Sequence, residues 1–426
     1  MKRNALFLCL TLIGFAVQAQ QEGSSPEPQL DSVTEVVHSS LPPMEVFPEL
    51  YLLTDEIEPL GVRHAKSWKR RWHVGVDATT FLRDAAFSLP YTRGYTAVGY
   101  FLTPYIKHSI GHHARVTLGV NLAGAAGYDG IRAWQPLVRL EYEPFYKFRL
   151  VMGSIYGTLT HGLYEPMLDR ERYIYAHQEE GVQLLADYWL GGHQRWRMDT
   201  WLHWEDLLEP WQPKQERFTL GSSHLFTLYT DHSQEPGKSS FGVSVPVSFV
   251  GSHRGGQFSS LDTCIQSLFN ESVGLRLNLT VGMSGALSLD VPVFFYQDIS
   301  PTKCMAYNDG WAVWPHLSFD WWFANSGNRG AKENWWHGDW RMLVQAGYWH
   351  GHQYIAPRGS YLFQSVSWHR PDFSVPERRM VTAKLAFENR YNRRLSMGLD
   401  TEYYYDMREK AMDFAFGLYL RYNFSN

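Results

Sequence analysis

The stretch from Met412 to Phe424 reads MDFAFGLYLRYNF. Every second residue, beginning with Met412, is apolar, and the residues between them include Asp413 and Arg421. Because side chains alternate between the two faces of a β-strand, this stretch predicts one apolar face and one polar face. It is also long enough for a tilted strand to cross a bilayer, which takes roughly 9–11 residues.

The same period of two recurs from Trp72 onward, and no segment shows a sustained helical period. The clearest runs are 116–122, 241–249, 273–281, 287–295, 381–388 and 395–403. A soluble all-β protein is the alternative, but its strands usually have about 5–6 residues. The longer runs therefore predict an all-β fold, a transmembrane antiparallel β-barrel.

The spacing of turns and loops predicts about 16 strands, with 18 as the nearest rival. Both ends of an outer-membrane barrel usually lie in the periplasm, so we expect an even number, with short turns on that side and long loops outside. Short turns are predicted near 107–111, 144, 191–193, 282–284 and 391–394. Outer loops are predicted near 82–93, 157–177, 252–269, 298–310 and 351–378, the last containing a hairpin over Ser360–Trp368.

The amino terminus has the features of a secretion signal. Lys2 and Arg3 precede a short apolar run, and we expect cleavage after Ala19. Residues 20–71 are rich in Pro, Ser and Glu and predict a periplasmic arm or a plug that enters the lumen. The predicted organisation is therefore 1–19 signal peptide, 20–71 arm or plug, and 72–426 barrel in the cell outer membrane of a Gram-negative bacterium.

Composition supports this class. Aromatic residues make up 15% of the chain and charged residues 19%, and aromatic belts at the two membrane interfaces would use such a surplus. The formal net charge of -4 gives no electrostatic support for a nucleic-acid partner. The expected partner is outer-membrane lipid, together with a small polar solute, a surface glycan or a partner lipoprotein.

The faces opposite the apolar runs are predicted to line the lumen, because a charge facing lipid at mid-membrane costs about 2–4 kcal/mol. The residues predicted to line the lumen are Arg115, Arg139, Glu141, Arg149, Asp199, Arg276, Asp290, Arg341, Glu388, Asp400 and Glu402. Both signs are abundant, so we expect either a general pore for small solutes or a lumen partly closed by ion pairs.

Two further groups of residues carry predictions. Trp201, Trp314 and Trp349 point inward, where they could stack on sugar rings or pack against a plug or an inward-folded loop. Cys264 and Cys304 fall in adjacent outer loops that flank one hairpin, so a disulfide between them is geometrically open.

The sequence gives little support for catalysis. Ser365 or Ser367 near His369, and Ser109 near His108, are only sequence neighbours, and no Gly-x-Ser-x-Gly turn is present. The other histidines lack a carboxylate or thiolate at recurring spacing, so no metal site is predicted. We therefore expect no catalytic residue, no cofactor and no enzymatic activity.

The segment from Met152 to Ser223 is the most distinctive. It contains HGLYEP at 161–166, DRER at 169–172 and EGVQ at 180–183. With these motifs the chain resembles an uncharacterised group of Gram-negative outer-membrane β-barrel proteins that are porin-like. The resemblance implies a fold and a location but no activity.

The leading functional hypothesis is a porin-like channel for small polar solutes. The alternative is a non-enzymatic barrel that binds or helps to assemble surface polysaccharide or a partner lipoprotein. A further alternative is a lipid hydrolase at the outer rim, which would need a serine and a histidine within hydrogen-bond reach.

Overall fold

The computed structural model describes most of the predicted barrel and a few residues before it. The described residues are Leu53, Ile57, Glu58, Leu60, Gly61, 72–207, 215–231, 240–255, 264–281, 285–324, 339–370, 372–391 and 394–425. The predicted signal peptide and most of the arm lie outside them. No helix formed by the described residues is long and apolar enough to span a membrane.

Long strands account for most of the described chain. The strands are β1 Trp72–Ala86, β2 Tyr95–Ile110, β3 Ala114–Ala125, β4 Ala133–Phe145, β5 Phe148–Ile155, β6 Glu179–Gly191, β7 Gln194–Asp206, β8 Arg217–Thr230, β9 Ser240–Arg254, β10 Gln266–Val281, β11 Gly285–Asp298, β12 Asp309–Val313, β13 His316–Ala324, β14 Asp339–His352, β15 Glu377–Arg390, β16 Leu395–Asp406 and β17 Ala411–Ser425. One short helix, α1, spans Arg172–Tyr175, and 3-10 turns span Thr158–His161 and Tyr361–Phe363.

The strands pair antiparallel with their chain neighbours, and β1 closes the sheet by pairing with both β2 and β17. The segments β12 and β13 both pair with β11 and with β14, so they are two halves of one barrel strand. The break falls at Trp314-Pro315, where proline has no N–H to donate to a ladder. The described residues thus form a closed barrel of 16 strands, which confirms the predicted fold class and strand number.

The outer surface of the barrel is apolar. In β17, Phe414, Leu418 and Leu420 are 41–49% exposed, whereas Asp413 and Tyr419 are at most 3% exposed. Alternation between the two faces therefore puts oily side chains where lipid would be and polar ones inside. The apolar outward face is the one that the sequence predicts.

Aromatic rings lie near both rims of this surface. Trp204, Phe218 and His253 form a stack on neighbouring strands, with ring centroids 5.2 and 4.9 Å apart. At the other end, where the barrel begins and ends, Trp72 stacks on His108 at 3.8 Å. Rings of this kind suit the two membrane interfaces.

Two of the longer loops turn into the barrel. Both leave from the end opposite Trp72 and Ser425, which is the outer end of an outer-membrane barrel. The first, 156–178, joins β5 to β6, and the second, 353–376, joins β14 to β15. Their apolar residues, among them Tyr164, Met167 and Phe363, pack with inward-facing strand residues in the largest buried cluster of the described residues.

The two loops also bind each other inside the lumen. The Asp169 amide donates to the Arg358 carbonyl at 2.6 Å, and the Ser360 amide donates to the Glu165 carbonyl at 3.0 Å. At Gly359 a Cβ atom would run into the Pro166 carbonyl, so only glycine permits this approach. The hairpin predicted over Ser360–Trp368 is displaced, because the antiparallel bridge joins Val366 and Ser374 instead.

The assignment of faces can be tested on β10. Leu277→Arg should block assembly into the outer membrane, because it puts a charge on the lipid side at a cost of about 2–4 kcal/mol. Asn278→Arg, its neighbour on the lumen side, should assemble normally. The measurement is the fraction of each variant that is folded in outer membranes by heat-modifiable mobility. Comparable assembly of the two would contradict the face assignment.

Candidate functional site

The charged side chains of the lumen are buried and paired. Of the eleven residues predicted to line it, all except Arg139 are at most 9% exposed, so they do not border an open aqueous channel. Arg276 Nε lies 2.6 Å from Asp290 Oδ1, and Arg115 Nε lies 2.6 Å from Glu141 Oε2. The geometry favours the second of the two expectations, a lumen closed by ion pairs.

His161 fastens the first inward loop to the barrel wall. Its Nδ1 lies 2.9 Å from Asp199, its Nε2 lies 3.2 Å from Glu179, and its ring stacks on Trp201 at 3.6 Å. Burial by itself would lower the pKa of His161, but Asp199 and Glu179 outweigh it and raise that pKa to about 9. The imidazole is therefore protonated at neutral pH and uses both N–H groups as donors, so it cannot act as a base.

A second network ties the same loop to β1 and β16. Arg170 contacts Asp400 at 2.5 Å and also Glu402, while Arg83 lies 2.6 Å from Glu402 and 2.5 Å from Glu171. Apart from Glu171, these side chains are at most 4% exposed. Buried charges are tolerated only when they are paired in this way. The loop thus supplies the partners that charges on the wall require.

The three predicted sugar-stacking tryptophans lie inside this packing. Trp201, Trp314 and Trp349 are 2%, 4% and 0% exposed. Trp349 packs edge-on against Phe363 at 5.0 Å, and the Trp314 indole donates to Thr382 at 3.1 Å. They therefore pack against the inward loops in this conformation, and a sugar would reach them only after those loops had moved.

Two described residues of the predicted arm contact inward-facing side chains of the barrel. Leu53 is 5% exposed and belongs to a buried cluster with Phe81 and Phe101. Glu58 lies 3.0 Å from Arg115. These contacts add to the filling of the barrel near its first strands.

A serine and a histidine meet on the second inward loop, at the outer rim. Ser367 Oγ lies 3.2 Å from His369 Nδ1, and the Arg370 amide donates to the same Oγ at 3.2 Å. The bridge between Val366 and Ser374 and a bond from the Ser367 amide to the Phe373 carbonyl hold this hairpin. We call Ser367 and His369 the rim dyad. Among the described residues no carboxylate contacts His369.

The surroundings of the rim dyad favour the neutral form of its histidine. Partial burial and the positive charges of Arg93 and Arg370 lower the pKa of His369. A neutral imidazole with its proton on Nε2 has a lone pair on Nδ1 that can accept the Ser367 proton. The lowered pKa of His369 therefore favours the protonation state that a base beside a nucleophile requires.

The other serine and histidine pairs considered from the sequence do not form. Ser365 is fully buried, and its backbone carbonyl accepts the Val375 amide instead. Ser109 faces the lumen at 3% exposure, while His108 stacks on Trp72. Neighbours on one strand point to opposite faces, as the sequence indicates for this pair.

A further pair, on the lipid-facing side of β7 and β8, was missed in the sequence. Ser222 Oγ lies 2.9 Å from His224 Nε2 and 2.7 Å from Thr200 Oγ1. The Trp196 indole N–H donates to His224 Nδ1 at 3.2 Å, so a neutral His224 carries its proton on Nε2. It then donates to Ser222 and cannot take its proton. The signal was present, because two polar residues interrupt the apolar alternation of Leu220 and Phe226.

The two cysteines of the barrel are joined. Cys264 and Cys304 form a disulfide with their Cα atoms 6.3 Å apart. It links the loops on both sides of the β10–β11 hairpin at the outer end.

The described residues form an outer-membrane β-barrel with a filled lumen. Its exterior is apolar, its strands form a closed ring, and its interior is packed with its own loops. The lipid A 3'-O-deacylase-type family matches residues 63–426, and the chain belongs to that family. No curated protein sequence matches the chain.

Solved structures similar to the chain are outer-membrane proteins. OprD of Pseudomonas aeruginosa is 9% identical, with a TM-score of 0.48 over 87% of this chain and 98% of that one. OccAB3 of Acinetobacter baumannii is 10% identical, with a TM-score of 0.46 over 83% and 99%. OpdK of Pseudomonas aeruginosa is 10% identical, with a TM-score of 0.44 over 84% and 99%.

Family membership corrects one prediction. The expectation that the protein is not an enzyme is wrong, since the family is one of deacylases, which are hydrolases. The sequence presents Ser367 and His369 only as neighbours and does not reveal their contact. The turn that begins at Ser367 places the hydroxyl and the imidazole on one side of the chain, within hydrogen-bond reach.

The filling of the lumen predicts its electrical behaviour. Wild-type protein should show no stepwise conductance in planar bilayers, whereas a variant with residues 158–176 replaced by a short Gly-Ser linker should conduct. The linker removes His161, a partner of Asp199, and Arg170, a partner of Asp400 and Glu402, and leaves space for water. Stepwise conductance of the wild type, equal to that of the linker variant, would contradict a closed lumen.

Proposed function

We propose that this protein is an outer-membrane esterase that removes an ester-linked acyl chain from lipid A in the outer leaflet. The rim dyad is the observation that carries the proposal, because it joins Ser367 and His369 at 3.2 Å at the outer end of a barrel whose lumen is filled. The family supports both the reaction class and the lipid.

The chemistry assigned to the dyad is ordinary acyl transfer. Ser367 Oγ attacks the ester carbonyl while His369 Nδ1 takes the hydroxyl proton. The imidazolium then protonates the sugar oxygen as the C–O bond breaks, which leaves an acyl-serine. Water, with its proton taken by His369, hydrolyses this intermediate to the free fatty acid and restores Ser367.

The surroundings of the dyad suit an anionic amphiphile. Arg93 and Arg370 place positive charge beside His369, which favours binding of phosphate groups. Trp368, between the two dyad residues, is 38% exposed, and an exposed indole suits the interface between lipid and water.

Replacing the nucleophile tests the proposal. Ser367→Ala should lower fatty-acid release from lipid A by at least about 10³-fold, because the remaining groups cannot form an acyl intermediate. The assay is mass spectrometry of fatty acids released in vesicles that contain lipopolysaccharide. Ser365→Ala is the matched control and should retain activity, since this serine lies two residues away and its Oγ has no hydrogen-bond partner among the described residues. Full activity of folded Ser367→Ala would refute the assignment.

The pH dependence provides a second test. His369 must be neutral, so kcat/KM should fall as the pH drops through its pKa, which its surroundings place below the ordinary histidine value of about 6.5. Arg370→Gln removes a positive charge and so raises the pKa of His369. The acidic limb of the pH profile of kcat/KM should therefore move to higher pH. Arg379→Gln, at an exposed arginine on β15, should leave the limb in place. Identical limbs in wild type and Arg370→Gln would argue against His369 as the base.

A second candidate function is passage of small polar solutes. A cavity of about 110 Å³ lies along β1–β4 and β17, with Asp77, Lys107 and Arg421 among its lining residues. The cavity supports passage of solutes only if the inward loops move. Conductance of the wild type in planar bilayers is therefore the measurement that separates a channel from an esterase with a closed lumen. Binding of a surface glycan or of a partner lipoprotein stays a prediction.

A further inference from the structure

The barrel wall is incomplete between β4 and β5. Residues of β4 pair with β5 only from Arg139 to Phe145, and Arg139 lies opposite Gly153. Beyond Gly153, Ser154 and Ile155 stay paired with β6 but no longer with β4. We call this gap, at the outer third of the wall, the β4–β5 seam.

Gly153 is where the two strands separate. Its φ of +87° is a left-handed conformation that glycine adopts readily. A Cβ atom there would also run into the Val138 carbonyl. The sequence thus favours divergence of the two strands at this point.

The outer third of β4 is consequently a free strand edge. Trp134, Gln135 and Pro136 are exposed, although Gln135 belongs to the inward-facing set. Pro136 has no N–H, and proline within a sheet is confined largely to edges. A barrel normally removes all strand edges, so an edge kept open toward the membrane requires an explanation.

Side chains close the seam in place of backbone pairs. Arg139 donates to the carbonyls of Ser154 at 2.5 Å and Ile155 at 3.1 Å, and Gln178 Nε2 donates to the Pro136 carbonyl at 2.7 Å. Such contacts can open by rotation about side-chain bonds, without breaking the ladder of a strand pair.

A cavity lies directly behind these side chains. Arg139 and Gln178 both line the cavity of about 110 Å³ described above. Its cationic lining residues are Lys107, Arg139 and Arg421, and its acidic lining residue is Asp77. On the outer face of β4, Trp134 and Val138 are 69% and 51% exposed, on the side that faces the lipid.

We propose that the β4–β5 seam is a lateral gate through which the anionic headgroup of an outer-leaflet lipid reaches the lumen cavity. The polar, cationic cavity receives the headgroup, and the acyl chains stay in the membrane against the apolar side of β4. Arg139 exchanges its two carbonyl partners for a phosphate when the gate opens. This site lies on β1–β5, β17 and the first inward loop, whereas the rim dyad lies on the second inward loop.

Photo-crosslinking tests the gate. Benzoylphenylalanine replaces Asn121, which lines the cavity, in a Ser367→Ala background so that the lipid is not consumed. The control position is Ser318, an inward-facing residue that is 7% exposed and is not among the lining residues of the cavity. After irradiation of intact outer membranes, mass spectrometry should find a phosphorylated lipid adduct at position 121 and none at 318.

Locking the seam provides the decisive comparison. Pro136→Cys with Gln178→Cys, oxidised or joined by a short bifunctional thiol reagent, should abolish the adduct at 121, and reduction should restore it. Each single cysteine variant, treated identically, should retain the adduct. Three results would each overturn the gate. The first is an adduct at 121 that the cysteine lock does not change, the second is an equal adduct at 318, and the third is no adduct at 121 in folded protein. Because the readout is an adduct, loss or retention of fatty-acid release in Ser367→Ala bears only on the esterase proposal.

Discussion

A charged side chain on this barrel at mid-membrane depth can only point into the lumen, and there it must find a partner. It points inward because a charge that faces lipid is costly, and it needs a partner because an unpaired buried charge is costly as well. Arg83 on β1 and Glu402 on β16 satisfy both through Arg170 and Glu171 of the first inward loop. Some wall charges pair with each other, as Arg276 and Asp290 do, and the first inward loop supplies further countercharges to Arg83 and Glu402.

The packed interior holds the second inward loop in place at the outer rim. Arg378 is 1% exposed, and its guanidinium donates to the carbonyls of Leu362 and Gln364 and pairs with Asp406 at 3.0 Å. It thereby ties the second inward loop to β15 and to the end of β16. The hairpin with Ser367 stands on this scaffold, as catalytic groups commonly stand on loops that a rigid frame positions.

The sequence predicts the wall well and the interior poorly, for a physical reason. Alternation is local, so runs such as that from Met412 to Phe424 reveal strands, faces and the strand number. The contacts of His161 with Glu179 and Asp199 join residues on a loop and two strands, and no local pattern encodes them.

The rim dyad shows the same limit on a smaller scale. Ser367 and His369 are visible as neighbours, but the turn that brings their side chains together depends on Phe373 and Ser374 farther along the chain. The β4–β5 seam left a weak sign in Pro136, a residue unsuited to the middle of a sheet. Its location required the register of β4 against β5.

The meeting of the two inward loops bears on biogenesis. Glu165 and Ser360 come together only when the strands between them, β6 to β14, have found their places around the ring. Contacts between such distant parts of a chain form late, since loop closure must precede them. Until then the nascent ring holds water around its unpaired charges. A newly inserted molecule is therefore expected to leak ions for a short time, and it seals itself as its last step of maturation.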